Sequence, residues 1–540
     1  MLILLLILAS CKQDNQSYSI PERPNILFIT TDYTRAADLP IEGHAPFLKA
    51  PAISKLCEEG AVFTWHCCVA PICMPSRATI VTGHYPHSHS LWDNRSIPTR
   101  QEGRPFLIDD LKKAGYKTAG IGKMHFHPRF DDYNYDLRIT LEGKDLNYQA
   151  DDYEKYLESK GTSRKDLRKI GDDGKWPRGM SFFDWTADEE LHPDVFVGSQ
   201  AVESVKAGFL DGEKPWFMWV SFTGPHNPWN APGRLASYYR DMEDLPAGEF
   251  ADSELETKPI EYSRHRYGYG GNLFHIYDTM PEAEQAKVRK DLRAGHYGLI
   301  SLIDEQIGDI LNELDRRNLL ENTIVIFSSD HGSALFDNNM LHKGSSFTRQ
   351  SLVPFVVWGP GIIKPGIRDN FTTNADLYST FLDLAGYTGI PQNEGFSFRK
   401  MLTDTEASIR DYAIIESTMV TSVMTKEWIM GIHHISGQTD LYSLRDDPMC
   451  LYNLAEDSRY ADVISELRDV IVDWRKSLPS GNQVGDDPYT WFGELGDTNI
   501  VSKYFTGYIN EYRALANLPD ERPGITGKAA QEIIDAIENK

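Results

Sequence analysis

Basic residues are few in this sequence: Lys and Arg number 55 against 79 Asp and Glu, which gives a formal net charge of −24. Broad nucleic-acid binding requires a basic face, so this balance argues against that class of function. The overall field also repels anions, and an anionic substrate must therefore be attracted by a local basic pocket.

Cysteine is scarce as well, with six residues in a chain of 540. This number is too small for a disulfide scaffold, although export would permit disulfides. No CxxC pair of the zinc-binding type occurs. The sequence leaves open one disulfide among Cys57, Cys67 and Cys68.

Long hydrophobic runs are also absent, and no stretch is long enough to span a membrane. The short apolar run at residues 2–8 is typical of a secretion signal. Residues 8–11, LASC, resemble the lipobox of bacterial lipoproteins, in which Cys11 is lipidated. We expect a signal peptide at 1–11, a tether at 12–21, and a protein held to the bacterial outer membrane by this lipid alone, on its periplasmic or cell-surface face. The alternative is an ordinary signal peptide with an incidental Cys11.

Apolar runs typical of buried strands alternate with helical patterns over most of the chain. Strands are predicted at residues 25–30, 61–63, 117–122, 215–222, 322–327 and 351–358. Helices are predicted at residues 51–60, 107–114, 193–206 and 297–314. This alternation predicts an α/β fold with a large, mostly parallel sheet between helices, in a domain of residues 22–405. Four short strands and a helix at 461–477 predict a smaller α+β subdomain with an antiparallel sheet, within residues 406–540.

Polar residues follow several of the predicted strands directly. They are Asp32, Lys123, His125, His226, Asp330 and His331, and Lys343 lies in the loop after the last of them. Each alone is equally typical of a turn or surface residue. In open α/β sheets, however, ligands bind beyond the carboxyl ends of the strands, so we expect these side chains to meet there. Two polar, loop-rich segments, 129–200 and 228–290, are expected to cover the site.

The stretch Cys73-Met74-Pro75-Ser76-Arg77 is the point around which these residues are expected to gather. A helix over residues 77–82 would place its N-terminus near Cys73 and favour an anion there. The alternative for Cys73 is a buried thiol that packs as a small apolar side chain.

Together these residues predict a metal-assisted hydrolase of an anionic ester. Asp32, Asp330 and His331 offer carboxylate and imidazole donors, which suit calcium, magnesium or manganese. Five further side chains would make the site strongly cationic: Arg77, Lys123, His125, His226 and Lys343. Transfer of a charged phosphoryl or sulfuryl group requires this combination of a metal and cations around a nucleophile.

The same motifs, in this order, resemble the type I, formylglycine-dependent sulfatases of the alkaline phosphatase superfamily. The matching pieces are PNILFITTD (24–32), CMPSRATIVTGHYPH (73–87), GYKTAGIGKMHF (115–126), SFTGPHNPW (221–229), SSDHG (328–332) and LYSLRDDPMCLYNLAED (441–457). The resemblance covers about residues 22–480. It implies that a separate formylglycine-generating enzyme oxidises Cys73 to formylglycine, whose hydrated form attacks sulfur and carries the sulfate as a covalent ester.

The resemblance also implies roles for the other residues. Cys73, once oxidised, would join Asp32, Asp330 and His331 around one divalent metal, with Ca²⁺ expected. His226 would protonate the leaving oxygen, and His125 would take a proton from the second hydroxyl to expel sulfate. Lys123 and Arg77 would hold the gem-diol, and Lys343, with His226, would bind the sulfate group.

One departure from the family concerns the first strand, where many members have an Asp-Asp pair and this chain has Asp32-Tyr33. One anionic ligand is missing, which leaves Mg²⁺ or Mn²⁺ open beside Ca²⁺. Members of the superfamily that hydrolyse phosphonate monoesters or phosphodiesters also carry a lone Asp there, so that activity is the alternative function. A third alternative is a silent carbohydrate-binding lipoprotein in which Cys73 is never oxidised.

The expected substrate is a sulfated polysaccharide or oligosaccharide. The long insertions and several aromatic residues favour a carbohydrate, because aromatic faces with a few polar groups line such pockets. The aromatic candidates are Trp176, Trp185 and Trp229. A basic-aromatic cluster, residues 264–267, is a candidate contact for anionic sugars, with a solvated loop as the alternative.

Overall fold

A computed structural model describes residues 18–94, 98–143, 151–169, 181–251, 253–259, 261–262, 266, 273–434 and 436–478. Several predictions lie outside these residues: the signal peptide with Cys11, most of the tether, Trp176, the basic-aromatic cluster except Arg266, and the C-terminal extension. Within the described ranges, no helix combines the length and the apolar character that crossing a membrane requires.

The strands and helices alternate along the first part of the chain, as the sequence predicts. The strands are β1 Asn25–Asp32, β2 Ala61–Phe63, β3 His66–Cys67, β4 Lys117–Gly122, β5 Leu137–Thr140, β6 Trp216–Pro225, β7 Thr323–Ser329, β8 Phe355–Trp358, β9 Gly366–Arg368, β10 Thr372–Thr373, β11 Ala413–Glu416, β12 Val420–Met424, β13 Trp428–His433 and β14 Thr439–Ser443. The helices are α1 Pro51–Glu59, α2 Cys73–Thr82, α3 Pro86–His89, α4 Leu107–Lys113, α5 Asp152–Ser159, α6 Arg164–Arg168, α7 Pro193–Lys206, α8 Gly233–Arg240, α9 Glu254–Thr257, α10 Leu273–Tyr277, α11 Glu282–Arg316, α12 Thr348–Ser351, α13 Asp376–Leu384 and α14 Ala461–Ser477.

Eight strands form one large sheet in the order β5-β4-β6-β1-β7-β8-β2-β9. The five strands from β5 to β7 pair in parallel, while β8 runs antiparallel to both β7 and β2. The mostly parallel α/β sheet is therefore confirmed. Its central strand is β1, which pairs with β6 on one side and β7 on the other.

Both faces of this sheet are buried, because alternate side chains of each central strand enter different cores. On β1, Leu27 and Ile29 pack into the core that contains the apolar face of α11 and parts of α1 and α7. Ile26 and Phe28 point the other way, into a core shared with α4 and α13. Burial on both faces explains why the sequence shows continuous apolar runs here.

A second sheet of four antiparallel strands, β11-β12-β13-β14, follows the large one, and α14 packs beside it. This sheet was predicted, and α14 has the bounds that its sequence pattern predicts. The boundary at residue 405 between two domains remains a prediction.

The structure corrects two details of the sequence analysis and decides one that the sequence leaves open. The insertion at 129–200 is not all loop: it supplies β5, the parallel edge strand of the large sheet, because Leu137 to Thr140 pair with β4. The strand predicted at 351–358 is limited to β8, and its first residue lies in the short helix α12. No disulfide forms among the described cysteines, since Cys57, Cys67 and Cys68 are buried free thiols.

Candidate active site

The carboxyl ends of the central strands meet at one edge of the large sheet. The register pairs Asp32, at the end of β1, with Pro225 on β6, and it pairs Thr31 with Ser329 on β7. β4 runs alongside β6 in the same direction. The predicted site residues on these strand ends therefore come together: Asp32, Lys123, His125, His226, Asp330 and His331.

Cys73 reaches the same place as the first residue of α2. The sequence analysis placed the start of this helix at Arg77, which is wrong by one turn. Ile72 before it is extended, and the helix closes at Gly83, whose φ of 68° lies in the left-handed region that glycine favours. Cys73 thus lies at the positive end of a ten-residue helix, where a developing negative charge is stabilised.

The four predicted metal ligands form one buried cluster. Asp32, Cys73, Asp330 and His331 each offer a ligand atom, and these atoms lie within 4.8 Å of one another. His331 Nδ1 lies 2.8 Å from the carbonyl oxygen of Gly332, which can only accept a hydrogen bond. Nδ1 therefore donates this bond, and Nε2 faces the cluster, 3.3 Å from Cys73 Sγ, as in many metal-binding histidines.

This donor set fits a divalent cation. Burial raises the pKa of Asp330, and the negative charge of Asp32 raises it further. A cation between the two carboxylates would remove that repulsion and let both ionise. Oxygen and imidazole donors suit Ca²⁺, Mg²⁺ and Mn²⁺, so the cluster agrees with the family expectation of a metal without selecting among the three.

Two lysines lie close to the sulfur of Cys73. Lys343 Nζ lies 2.6 Å from Cys73 Sγ, and Lys123 Nζ forms an ion pair with Asp32. Burial and the charge of Asp32 raise the pKa of the thiol, but Lys123, Lys343 and His331 lower it more, so that it lies well below its usual value. The site therefore stabilises a negative charge on this side chain.

The guanidinium of Arg77 contacts the predicted metal ligands. Its Nε donates to Asp330 Oδ2 at 2.8 Å, and its Nη1 donates to Ser221 Oγ at 2.8 Å and to the carbonyl oxygen of Lys123. Nη2 lies 3.9 Å from Asp32 Oδ2. The guanidinium thus links β6 with the segments that follow β4 and β7.

His125 is held in an unusual conformation at the edge of the site. Its φ of 54° lies in the left-handed region, which is uncommon for a residue with a side chain. The backbone N–H of His125 donates to Glu142 Oε2 at 2.8 Å, and Arg138 Nη2 donates to the other oxygen at 2.9 Å. Burial lowers the pKa of His125 to about 4, so its imidazole is neutral at pH 7 and can accept a proton.

Glu142 was missed by the sequence analysis. It lies in the segment predicted as an insertion, just after β5, and is fully buried. The only local signal was its position after the alternating apolar and polar residues 137–141, which does not reveal its contact with a residue 17 positions earlier.

His226 follows β6 and faces the same cluster. Its Nδ1 lies 2.8 Å from the carbonyl oxygen of Asn227, which leaves Nε2 as the nitrogen directed away from the backbone. Burial lowers its pKa well below the usual value, and the charges of Lys343 and Lys123 act in the same direction. Binding of an anion beside this ring would raise that pKa again.

Of the predicted carbohydrate contacts, the three that fall within the described residues, Trp185, Trp229 and Arg266, do not form one exposed surface. Trp185 is buried against His192, and Trp229 is buried 6.5 Å from the ring of His342. Arg266 donates to the backbone of Asn339 and forms an ion pair with Asp278, so it is a structural residue.

Comparison with known proteins shows which family the chain resembles. The family model described as Sulfatase matches residues 24–387, and the model described as N-sulphoglucosamine sulphohydrolase, C-terminal, matches residues 330–477. An arylsulfatase of Clostridium perfringens (strain 13 / Type A) is 29% identical over 477 residues, which are 83% of this chain and 94% of the relative.

Two solved structures share the fold. The phosphonate monoester hydrolase of Agrobacterium radiobacter has a TM-score of 0.70 and 24% identity, over 84% of this chain and 95% of that one. A protein solved in complex with its substrate D-glucosamine-2-N,6-O-disulfate has a TM-score of 0.65 and 20% identity, over 86% of this chain and 100% of that one. At these identities the likeness concerns the fold alone.

Proposed function

The chain belongs to the sulfatase family and is a sulfuric ester hydrolase, and from this premise we propose that it removes sulfate from a sulfated polysaccharide or oligosaccharide. The observation that carries the proposal is the position of Cys73, at a helix N-terminus, between a buried acidic ligand set and two lysines. This arrangement suits a nucleophile that attacks an anionic group, because the cations offset the charge of both.

Asp32, Asp330, His331 and the oxidised side chain at Cys73 would hold the divalent metal. When bound, the metal supplies Lewis-acid polarisation of the nucleophile and of the sulfate oxygens. Formylglycine supplies two hydroxyls on one carbon, so that one can attack while the other later allows release. Lys343 binds the sulfate oxygens, and Lys123 neutralises Asp32 and supports the hydrated aldehyde.

The two histidines divide the proton transfers. His226 donates a proton to the leaving alcohol oxygen, and the approach of an anionic ester raises its pKa toward the range that this role needs. His125 is neutral, with a pKa of about 4, and accepts a proton from the second hydroxyl. The two histidines also have different surroundings. The ring of His226 lies against the ring of Tyr33, whereas the backbone N–H of His125 donates to Glu142.

A glycan is the proposed substrate class because the site is a buried cationic cluster in a chain of strongly negative net charge. Such a site suits a ligand that carries a localised anionic group, which the local cations attract although the overall field repels anions. The shared fold with a protein whose substrate is a disulfated glucosamine supports this choice.

The proposal is tested by measuring inorganic sulfate release from a panel of sulfated polysaccharides and their oligosaccharides. The protein is co-expressed with a formylglycine-generating enzyme, and peptide mass verifies the aldehyde at residue 73. Cys73→Ala is the inactive variant. Cys57→Ala is the matched control, because Cys57 is also a buried cysteine but lies in α1, outside the site.

We expect release from at least one glycan, loss of release in Cys73→Ala, and near-normal release in Cys57→Ala. Equal activity of Cys73→Ala and the wild type would contradict the mechanism. No release from any glycan, with the aldehyde present, would reject the substrate class.

Hydrolysis of phosphonate monoesters or phosphodiesters is the second candidate. The observation in its favour is the single carboxylate at the end of β1, where Tyr33 follows Asp32. The same enzyme preparation is assayed for phosphate or alcohol release from a phosphonate monoester and a phosphodiester. A higher kcat/KM for these esters than for every sulfate ester would favour the second candidate.

Export and lipid attachment at Cys11 are proposed from the sequence at residues 2–11. Metabolic labelling with a fatty acid in a bacterial host tests this, with Cys11→Ala as the unlabelled control. Equal labelling of both forms would reject Cys11 as the acceptor.

A further inference from the structure

Asn374 lies beside the start of α2, and the mechanism proposed above does not use it. It follows β10, precedes α13 and is buried. β10 pairs in parallel with β3, and the backbone N–H of Asn374 continues this pairing by donating to the carbonyl oxygen of Cys67 at 3.0 Å. The side chain of Asn374 is thereby held next to the segment that runs from β3 into α2.

The carboxamide of Asn374 bonds to the chain on both sides of Cys73. Its Oδ1 accepts from the backbone N–H of Val69 at 3.0 Å, four residues before Cys73. Its Nδ2 donates to Ser76 Oγ at 3.0 Å, three residues after Cys73, and lies 3.4 Å from the carbonyl oxygen of Ser76. The sulfur of Cys68 lies 3.8 Å from the same nitrogen. One side chain therefore holds the approach to α2 and its first turn together.

These hydrogen bonds have a fixed direction. The N–H of Val69 can only donate, so the amide oxygen faces it and Nδ2 faces Ser76. Because Nδ2 can also only donate, the Ser76 hydroxyl accepts from it and donates its own hydrogen to the carbonyl oxygen of Asp330. The N–H of Asp330 donates in turn to the carbonyl oxygen of Thr31 on β1 at 3.1 Å. Asn374 is thus connected, through Ser76, to the backbone of a predicted metal ligand.

Burial makes this connection costly to lose. Val69 and Ser76 are both fully buried, so water does not replace the carboxamide as their partner. A buried donor left without an acceptor carries its full desolvation cost, and the backbone moves to reduce it. Any such movement displaces residue 73, because that residue lies between the two contact points.

We propose that Asn374 is a positioning residue of the active site, which fixes the start of α2, and with it residue 73, against Asp330 just after β7. The proposal rests on the proposed function, in which the oxidised side chain at Cys73 attacks the sulfate ester. It deepens that function by assigning a role to a residue that lies 298 positions from Ser76 and outside every motif of the resemblance.

Two variants remove the carboxamide. Asn374→Leu keeps about the same volume, and Asn374→Ala adds no bulk, so a folding defect in one leaves the other for measurement. Asn453→Ala is the matched control, because Asn453 makes the same kind of contacts after β14, outside the site. Its Oδ1 accepts from the backbone N–H of Leu441 at 3.1 Å, and its Nδ2 donates to the carbonyl oxygen of Thr257 at 2.8 Å.

Each full-length protein is co-expressed with a formylglycine-generating enzyme, and peptide mass gives the fraction that carries the aldehyde. We measure kcat per aldehyde-bearing molecule, and KM, on the most active ester of the sulfated panel, at a temperature well below the unfolding of each variant. Hydrogen–deuterium exchange of the peptides that cover residues 69–82 is followed on the same samples.

We expect both Asn374 variants to lower kcat by about 10- to 100-fold, because misplacement of the nucleophile by about 1 Å has an effect of this size. KM should stay within about threefold of the wild type, since Lys343 and His226 still bind the substrate. Exchange over residues 69–82 should become at least about tenfold faster. Asn453→Ala should change neither kcat nor this exchange, although it lowers the unfolding temperature.

An unchanged kcat in both Asn374 variants would overturn the proposal, and so would a higher KM without a lower kcat. An equal fall of kcat in Asn453→Ala would assign the effect to a general loss of stability and would overturn it as well. Unchanged exchange over residues 69–82 in both variants would do the same. If the wild type hydrolyses no sulfate ester, the proposed function fails, and the exchange measurement still decides whether Asn374 holds α2.

Discussion

Glu142 is the residue through which the structure makes its most specific prediction. Its carboxylate lies between two buried donors, the backbone N–H of His125 and the guanidinium of Arg138. Arg138 Nε and Nη1 have no hydrogen-bond partner of their own, so its ion pair with Glu142 is a main compensation for its charge. We predict that replacing Glu142 destabilises the fold and also misplaces the proposed base, His125.

The expected loss of stability follows from the polar groups that lose their partner when Glu142 is replaced. In Glu142→Ala, the broken buried ion pair costs about 3–5 kcal/mol and the orphaned backbone N–H costs about 1–3 kcal/mol. Glu142→Gln keeps the shape of the side chain and one acceptor oxygen, so we expect the free energy of unfolding to fall by about 1–3 kcal/mol. His125 then loses the contact that holds its left-handed backbone, and a displacement of about 1 Å lowers kcat by up to ~100-fold.

Urea unfolding followed by tryptophan fluorescence measures the free energy of unfolding, and sulfate release measures kcat and KM. Glu158→Gln is the matched control, because it makes the same chemical change on the exposed face of α5 in the same segment. This control should stay within about 0.5 kcal/mol of the wild type. A Glu142→Gln enzyme with normal kcat, or one in which only KM changes, would refute the positioning of His125 by Glu142.

Three further predictions concern the strand end, the histidine-rich turn and the metal. Gly122→Ala should lower the free energy of unfolding by more than about 2 kcal/mol and lower activity, because the φ of Gly122 is 93° and a Cβ would lie 2.1 Å from the carbonyl oxygen of Ser221. The control in urea unfolding is Gly161→Ala, because Gly161 has a φ of 75° and nothing lies within 4 Å of its added Cβ. Equal losses of stability in the two variants would contradict the steric argument. Although burial opposes its charge, Glu416 and Glu394 raise the pKa of His87, so the native state retains this proton longer than the unfolded chain. The stability it provides is present below the unfolded pKa of about 6.5 and falls as pH rises through the native pKa, and a His87→Gln variant should lose this decline in unfolding measured from pH 6 to 9. Removal of divalent metal by a chelator should abolish sulfate release and lower the unfolding temperature, since two buried carboxylates then repel each other. Recovery of activity on adding back Ca²⁺, Mg²⁺ or Mn²⁺ identifies the effective metals. Unchanged activity and unfolding temperature after chelation would contradict the proposed metal site.

The sequence predicted most of the strands and the edge of the sheet where the site lies. β1 and β7 were visible because a strand buried on both faces needs a continuous apolar run, and their ends were marked by polar residues such as Asp32 and Asp330. The helix α14 was visible from its amphipathic period alone. Where burial imposes a local pattern, a continuous apolar run in a strand or an amphipathic period in a helix, the sequence is sufficient.

The bounds of some elements were harder to predict, because the local sequence does not mark them. The start of α2 was misplaced by one turn because Cys73 and Pro75 give no capping signal, although Pro fits a first helical turn without losing a hydrogen bond. The short strand β5 was missed because the alternation of Leu137 and Ile139 with Arg138 and Thr140 covers only four residues inside a polar segment, and pairing with β4 makes it a strand.

The residues predicted for the site, and the sheet edge at which they gather, could be read from the sequence, because strand ends and the Cys73 motif are local patterns. Tertiary structure alone decided what each residue does to the others. Tyr33 meets His342 across 309 positions, and Arg77 meets Asp330 across 253. Neither contact leaves a trace in local composition or period, because each depends on the register of parallel strands and on the packing of a buried, charged cluster. The same packing sets the charges of the site, since burial determines how strongly each lysine, carboxylate and imidazole acts on its neighbours.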